Sequence, residues 1–287
     1  MSSDILTTIH NKMDTLSKGQ KRIAQYILSS YDKAAFLTAG TLGKTVQVSE
    51  STVVRFAAEL GYDGYPQMQQ ALQEMVLSRL TGVQRMEVTT ERIAQEDILS
   101  TVLRGDMERL RDSSESISRE AFNNAVEALL AAKRIYVMGV RSSSALASFL
   151  SYYLNYMFED VRLITTSSDS EAFEQLVRIS SEDAIVGISF PRYSSATIQA
   201  MKYARAAGAT TVALTDSESS PLADHADCLL AAKSDMVSIV DSLVAPMSII
   251  NALLLAVCSR RKEQTANTFD KLEEIWEMYH VYEKIGE

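Results

Sequence analysis

The chain has 287 residues, long for one domain and comfortable for two, and its 46% hydrophobic content is enough for a sizeable core. A charged fraction of 23% is ordinary for a soluble protein. Apolar runs such as 253–258 are far too short for a membrane span, and Asp4 with its polar neighbours interrupts any leader-like pattern, so no membrane partner is expected.

Cys228 and Cys258 stand in no ligand-like motif, and His10, His225 and His280 are scattered. This argues against a disulfide framework and a metal site, and fits a reducing, cytoplasmic location with no cofactor. The net charge of −9 is uneven. Residues 1–85 hold nine Lys or Arg against seven Asp or Glu, a balance of +2 that leaves −11 for the rest. DNA affinity follows the local field at the contact face, so this asymmetry favours a nucleic-acid-binding N-terminus.

In chain order, Ile5, Ile9 and Met13 recur at helical spacing. Ser17 suits the N-cap of a second helix carrying Ile23, Tyr26 and Ile27 on one face. Helices are predicted over 36–46 and 50–60, the latter stopped by Gly61, and Pro66 suits the start of another reaching about residue 80. A polar, aperiodic linker is expected over 81–95. Helical stretches near 96–111 and 118–132 follow. Short apolar runs at 135–138, 162–165, 184–189, 211–215 and 228–231 then read as buried strands with helical patterns between them. Two last helices are predicted over 238–261 and 268–284. The alternation predicts a five-stranded parallel sheet flanked by helices behind an all-α domain. The expected division is 1–80, a linker over 81–95, and 96–287.

Residues 38–61 read as a helix-turn-helix. Leu42, Val46, Val48, Val53 and Phe56 supply contacts between the two helices, and Gly43 supplies a small residue where their backbones approach. Ser49 suits the cap of the second helix. Glu50, Ser51, Thr52 and Arg55 then face outward near its start, where a recognition helix reaches base edges and phosphates. Lys44 and Ser49 complete the candidate DNA-contacting set. Gln47 stands where such turns usually carry glycine, which predicts strain at positive φ.

The segments 16–24 (LSKGQKRIA), 48–56 (VSESTVVRF) and 60–65 (LGYDGY) resemble the N-terminal domain of the RpiR/MurR family of bacterial transcription regulators, over about residues 5–77. The resemblance implies binding to double-stranded DNA.

Two serine-rich loops follow strands and open helices: Gly139 to Ser144 and Ser189 to Ser195. Hydroxyls with helix N-terminal N–H groups make an anion cradle, although serines at such places also merely cap helices. With the segments 208–217 and 220–227, these loops resemble a SIS domain, the sugar-isomerase fold of phosphosugar-binding proteins, over about 121–262. By that resemblance the phosphate-binding serines fall on Ser142, Ser143 and Ser189, with a further hydroxyl at Ser194. The chain departs from the pattern at Arg141 and Arg192, where the family has glycines, and at Pro191, where it has a serine. Two guanidinium groups in or around the site suit a more anionic ligand, such as a sugar-acid phosphate or organic acid. Structural ion pairs are the other reading of these arginines.

The expectation is a non-enzymatic, DNA-binding regulator of carbon or sugar metabolism genes, controlled by a phosphosugar or sugar acid. It is expected to act as a homodimer or homotetramer on a near-palindromic operator. A phosphosugar isomerase or lyase is the alternative, with Glu171, Glu174, Asp241 and His225 as candidate bases that stand in no catalytic motif.

Overall fold

The structure is a computed structural model that describes residues 5–79, 97–166, 168–234 and 240–282, with Val83 and Met86. The expected linker therefore lies outside the described residues except at Val83 and Met86. The chain divides near residue 94 into two compact units.

The first unit is helical: α1 Ile5–Lys12, a 3-10 turn, α2 Lys18–Ser29, α3 Tyr31–Ala34, α4 Ala39–Thr45, α5 Glu50–Glu59 and α6 Tyr65–Arg79. Ser17 caps α2 in a capping box with Gln20. Ile9, Ile23, Ile27, Leu42, Phe56, Met68 and Leu72 form its core. The helix predicted from residue 36 starts instead at Ala39, because Thr38 accepts from Thr41 N as its cap. Phe36 and Leu37 stay outside it. The Leu37 carbonyl accepts from Tyr65 Oη at 2.6 Å and from Gln69 Nε2 at 2.8 Å. Burial pushes the Tyr65 hydroxyl pKa up to about 12.

The second unit runs α7 Ile98–Ser116, α8 Arg119–Ala131, β1 Ile135–Gly139, α9 Ser143–Leu154, β2 Val161–Ile164, α10 Asp169–Leu176 and β3 Ala184–Ile188. It continues with α11 Ser195–Ala206, β4 Thr210–Thr215, β5 Cys228–Ala231, α12 Val244–Arg260 and α13 Lys262–Tyr279. All neighbouring strands are parallel, in the order β2-β1-β3-β4-β5. Successive residues of β1 face opposite ways, as a pleated strand requires. Ile135 and Val137 join a core with α8, α9 and α12, and Tyr136 and Met138 join one with α10 and α11. Both faces are thus covered, which is why the strands read as continuous apolar runs rather than alternating ones.

The predicted strands agree with the observed ones to within a residue at most ends. The C-terminal helices differ more. α12 starts at Val244, not 238, with Pro246 in its first turn, a position that needs no helical N–H donor. α13 starts directly after Arg261, where the two helices bend by 98°. Among the described residues no single helix is long and apolar enough to cross a membrane.

Candidate DNA-binding and ligand-binding sites

In the first unit, α4 and α5 pack tightly through Leu42, Val46, Val53 and Phe56, all buried. A Cβ on Gly43 would lie 2.9 Å from the Val48 carbonyl oxygen, so only glycine allows this approach. The turn between the helices passes through Gln47 at φ 55, the left-handed conformation expected there. Arg22, which the sequence did not single out, spans this turn from α2. It donates to the Gln47 carbonyl at 3.2 Å and to Gln47 Oε1 at 2.9 Å. No local pattern reveals it, because its partner is 25 residues away.

The candidate DNA-contacting residues gather around the start of α5. Lys44, Ser49, Glu50, Ser51 and Arg55 are exposed and Thr52 is half-buried. Ser49 is an N-cap, accepting from Thr52 N at 3.3 Å, and its hydroxyl also lies within hydrogen-bond distance of those of Ser51 and Thr52. Glu50 turns back toward α4, since a Cβ built on Gly40 would be 3.2 Å from its carboxylate oxygen. Lys44 and Arg55 make no ion pair or side-chain hydrogen bond among the described residues.

In the second unit, the two serine-rich loops leave the carboxyl ends of β1 and β3. These strands are neighbours, with Gly139 paired to Ile188. The chain turns outward from here in both directions, to β2 on one side and to β4 on the other. This is the topological switch point, where open parallel sheets hold ligands. Gly139 is required by its surroundings, because a Cβ there would sit 2.7 Å from the Ser143 carbonyl oxygen.

Arg141 adopts φ 56, a conformation suited to the glycine of the family pattern, and its side chain is exposed. Arg192 is exposed as well. Neither takes part in an ion pair or side-chain hydrogen bond among the described residues. The ion-pair reading of these arginines thus has no partner there to support it. Ser142 is exposed and Ser143 buried. Ser189 is buried and accepts from Ser194 N at 3.0 Å, which ties the loop onto itself. Ser194 caps α11, accepting from Thr197 N at 3.3 Å. So Ser189 and Ser194 have structural duties that the resemblance did not indicate, and Ser142 makes no cap bond to its own helix.

The structure adds Asp216 at the end of β4, nearly buried, which accepts from Tyr193 Oη at 2.9 Å and Thr215 Oγ1 at 3.1 Å. It also brings Asp241, one of the candidate bases, to Ser142, whose Oγ donates to it at 2.9 Å. Of the four candidate bases for isomerase chemistry, Asp241 is the one hydrogen-bonded to these loops. Glu171 accepts from Thr166 at the start of α10, and His225 lies ahead of β5. Glu174 lines a depression of about 480 Å³ with Arg162, Gln175, Val177 and Arg178, away from the β1 and β3 loops. Among the described residues no group of three His, Cys, Asp or Glu is placed to hold a metal ion.

Comparison with known proteins agrees with both halves of this geometry. Residues 3–78 match the helix-turn-helix domain of the rpiR family, and residues 128–256 match the SIS domain. An uncharacterized HTH-type transcriptional regulator of Haemophilus influenzae is 26% identical over 285 residues, covering 93% of this chain and 96% of its own length. The sugar isomerase domain of an RpiR transcription factor from Sphaerobacter thermophilus superposes with a TM-score of 0.60 at 29% identity, covering 62% of this chain and 99% of that one. The NanR protein of Vibrio vulnificus, complexed with ManNAc-6P, shares the fold with a TM-score of 0.58 at 23% identity, covering 95% of this chain and 97% of that one. With an rpiR-type helix-turn-helix domain joined to a five-stranded SIS domain, the chain belongs to the RpiR family of transcriptional regulators.

Proposed function

We propose that this regulator binds operator DNA through α5, under control of a small anionic metabolite held between the loops after β1 and β3. The observation that carries the reading is the pair Arg141 and Arg192, exposed and with no ion-pair partner among the described residues, on loops leaving adjacent strands at the switch point. Guanidinium groups so placed suit a carboxylate or phosphate through paired hydrogen bonds. The NanR complex with ManNAc-6P supports the phosphosugar class. The two arginines favour a ligand with more negative charge than a simple hexose phosphate, such as a sugar-acid phosphate, and hence control of carbon or sugar metabolism genes in the bacterial cytoplasm.

The domain division proposed with this function is a DNA-binding domain over 1–80, a linker over 81–95, and a ligand-sensing domain over 96–287. A homodimer or homotetramer on a near-palindromic operator completes the proposal. Support for self-association is the surface of α7, where Ile98, Leu99, Val102, Leu103 and Met107 are each at least half exposed.

The test is a thermal-shift screen of the full chain against inorganic phosphate, hexose phosphates, sugar-acid phosphates and central-carbon acids. A mobility-shift assay on the DNA upstream of its own gene, with and without each hit, completes it. Ligand binding raises apparent stability, by about 2.7 kcal/mol at a hundredfold excess over Kd. Stabilisation by an anion that also changes DNA retention is expected. Isomerase turnover of a stabilising sugar phosphate, with no DNA retention, would overturn the proposal.

A further inference from the structure

Ser142 stands immediately before α9, already in helical conformation, and makes no hydrogen bond to the backbone of its own helix. Ser17, Ser49, Ser118 and Ser194 each cap the helix they precede, whereas Ser30 and Ser168, like Ser142, make no such bond. Ser142 instead donates to Asp241 Oδ2 at 2.9 Å, across 99 residues of sequence. Asp241 lies three residues ahead of α12. A carboxylate oxygen is thus bonded to a hydroxyl of the loop that leaves β1, next in sequence to Arg141.

We propose that Asp241 is a built-in competitor for the anionic ligand. It occupies the Ser142 hydroxyl in the ligand-free protein and leaves it when a carboxylate or phosphate binds. The inference rests on the ligand-site reading given above. A serine hydroxyl has a single hydrogen to donate, so it cannot serve Asp241 and a ligand oxygen together. Two anions competing for one donor also repel each other. The apparent affinity of the site is then the intrinsic affinity reduced by the fraction of molecules in which Asp241 has moved away.

Described residues near Asp241 and just beyond β5 also reach α7. Ser242, next to Asp241, donates to Asp106 Oδ1 at 2.6 Å on α7, and Arg109 pairs with that same oxygen at 3.0 Å. Lys233 N, just beyond β5, donates to Ser113 Oγ on α7 at 2.9 Å. Displacing Asp241 therefore moves a residue whose immediate neighbour, Ser242, is bonded to α7. Site occupancy thereby gains a route to α7.

The test is calorimetric titration of the full chain with inorganic phosphate and with 6-phosphogluconate, in a buffer free of other oxyanions. Wild type is compared with Asp241→Asn, Ser142→Ala and the double variant. Asp241→Ala is added because an amide oxygen still accepts a hydrogen bond. Losing the competitor should tighten binding about tenfold, the scale of one charge-assisted hydrogen bond. With Ser142→Ala present the same change should gain less than about twofold, because the contested hydroxyl is gone.

A gain that is equal in both backgrounds would mean general charge repulsion and would overturn the proposal. Unchanged or weaker binding by both Asp241 variants would overturn it too. If Arg192→Ala weakens binding while the Asp241 variants match wild type, the ligand site stands and only the competitor falls. If no variant and no wild type binds either probe, the ligand-site reading itself has failed and the competitor falls with it. Melting temperatures recorded without ligand identify any variant that fails to fold.

Discussion

Arg22 of α2 grips Gln47 at both its carbonyl and its side-chain oxygen, across the turn that joins α4 to α5. Gln47 carries φ 55 at a position where glycine would be unstrained. A non-glycine residue in this conformation costs about 1–2 kcal/mol. Gln47→Gly and Gln47→Ala both lose the Oε1 contact with Arg22, but only the alanine variant keeps the strain. The glycine variant should be the more stable of the two by about 1 kcal/mol. Urea unfolding followed by far-UV circular dichroism measures the difference, and equal midpoints would mean that the turn holds no strain.

Arg55 and Ser51 are exposed on α5 and lie outside the core of the first unit. Arg55→Ala and Ser51→Ala should therefore keep the fold and weaken operator binding. A lost base contact costs roughly 1–3 kcal/mol. Mobility shift on a defined operator, beside a melting curve, reads both quantities. Wild-type affinity in both variants would place DNA recognition on another face.

Arg141 and Arg192 should separate ligand affinity from stability. Arg141→Gly removes a guanidinium and also relieves a residue at φ 56. Its ligand-free melting temperature should hold or rise, while anion affinity falls about tenfold to hundredfold. Arg192→Ala should lose affinity on the same scale, and Arg192→Lys should restore only part of it, because lysine lacks the planar fork. An unchanged affinity with a large fall in melting temperature would make these arginines structural.

Arg134 and Asp183 give the second unit a pH dependence. Arg134 Nε and Nη2 donate to Asp183 Oδ1 and Oδ2 at 2.9 and 2.8 Å, and Ser180 adds its N–H and hydroxyl. The Asp183 side chain is 0% exposed and that of Arg134 is 18% exposed. Burial pushes the Asp183 carboxyl up, but the hydrogen bonds from Arg134 and Ser180 together outweigh it and hold the pKa below the ordinary value. A depressed folded-state pKa stabilises above the unfolded value of about 3.9, and that contribution disappears as pH falls through the folded value. Asp183→Ala leaves a largely buried arginine unpaired and should cost about 3–5 kcal/mol at pH 7. The gap between wild type and variant should close as the pH is lowered below about 4. A gap that stays constant from pH 7 to pH 3 would contradict this assignment.

Much of the fold is legible because it is local. Ser17, Ser49 and Ser118 cap helices within three residues of themselves, and Gly61 ends α5 at φ 98. The strands of the second unit are continuous apolar runs because both faces of the sheet are covered. The unusual conformation of Gln47 also follows from local turn chemistry. The tie that holds Leu37 outside α4 was not legible, because its carbonyl is claimed by Tyr65 and Gln69 some thirty residues away. The end of a helix at Arg261 was legible, but the immediate restart at Lys262 was not. The sequence supplies Arg141, Arg192 and the two serine-rich loops, but only the strand order puts those loops on neighbouring strands at a switch point. The pairs Arg22 with Gln47, Arg134 with Asp183 and Ser142 with Asp241 were likewise decided by tertiary structure. Capping and periodicity act within a turn or two of chain and leave a trace in residue spacing. A hydrogen bond across 99 residues depends on which strands become neighbours, and spacing along the chain carries no record of that.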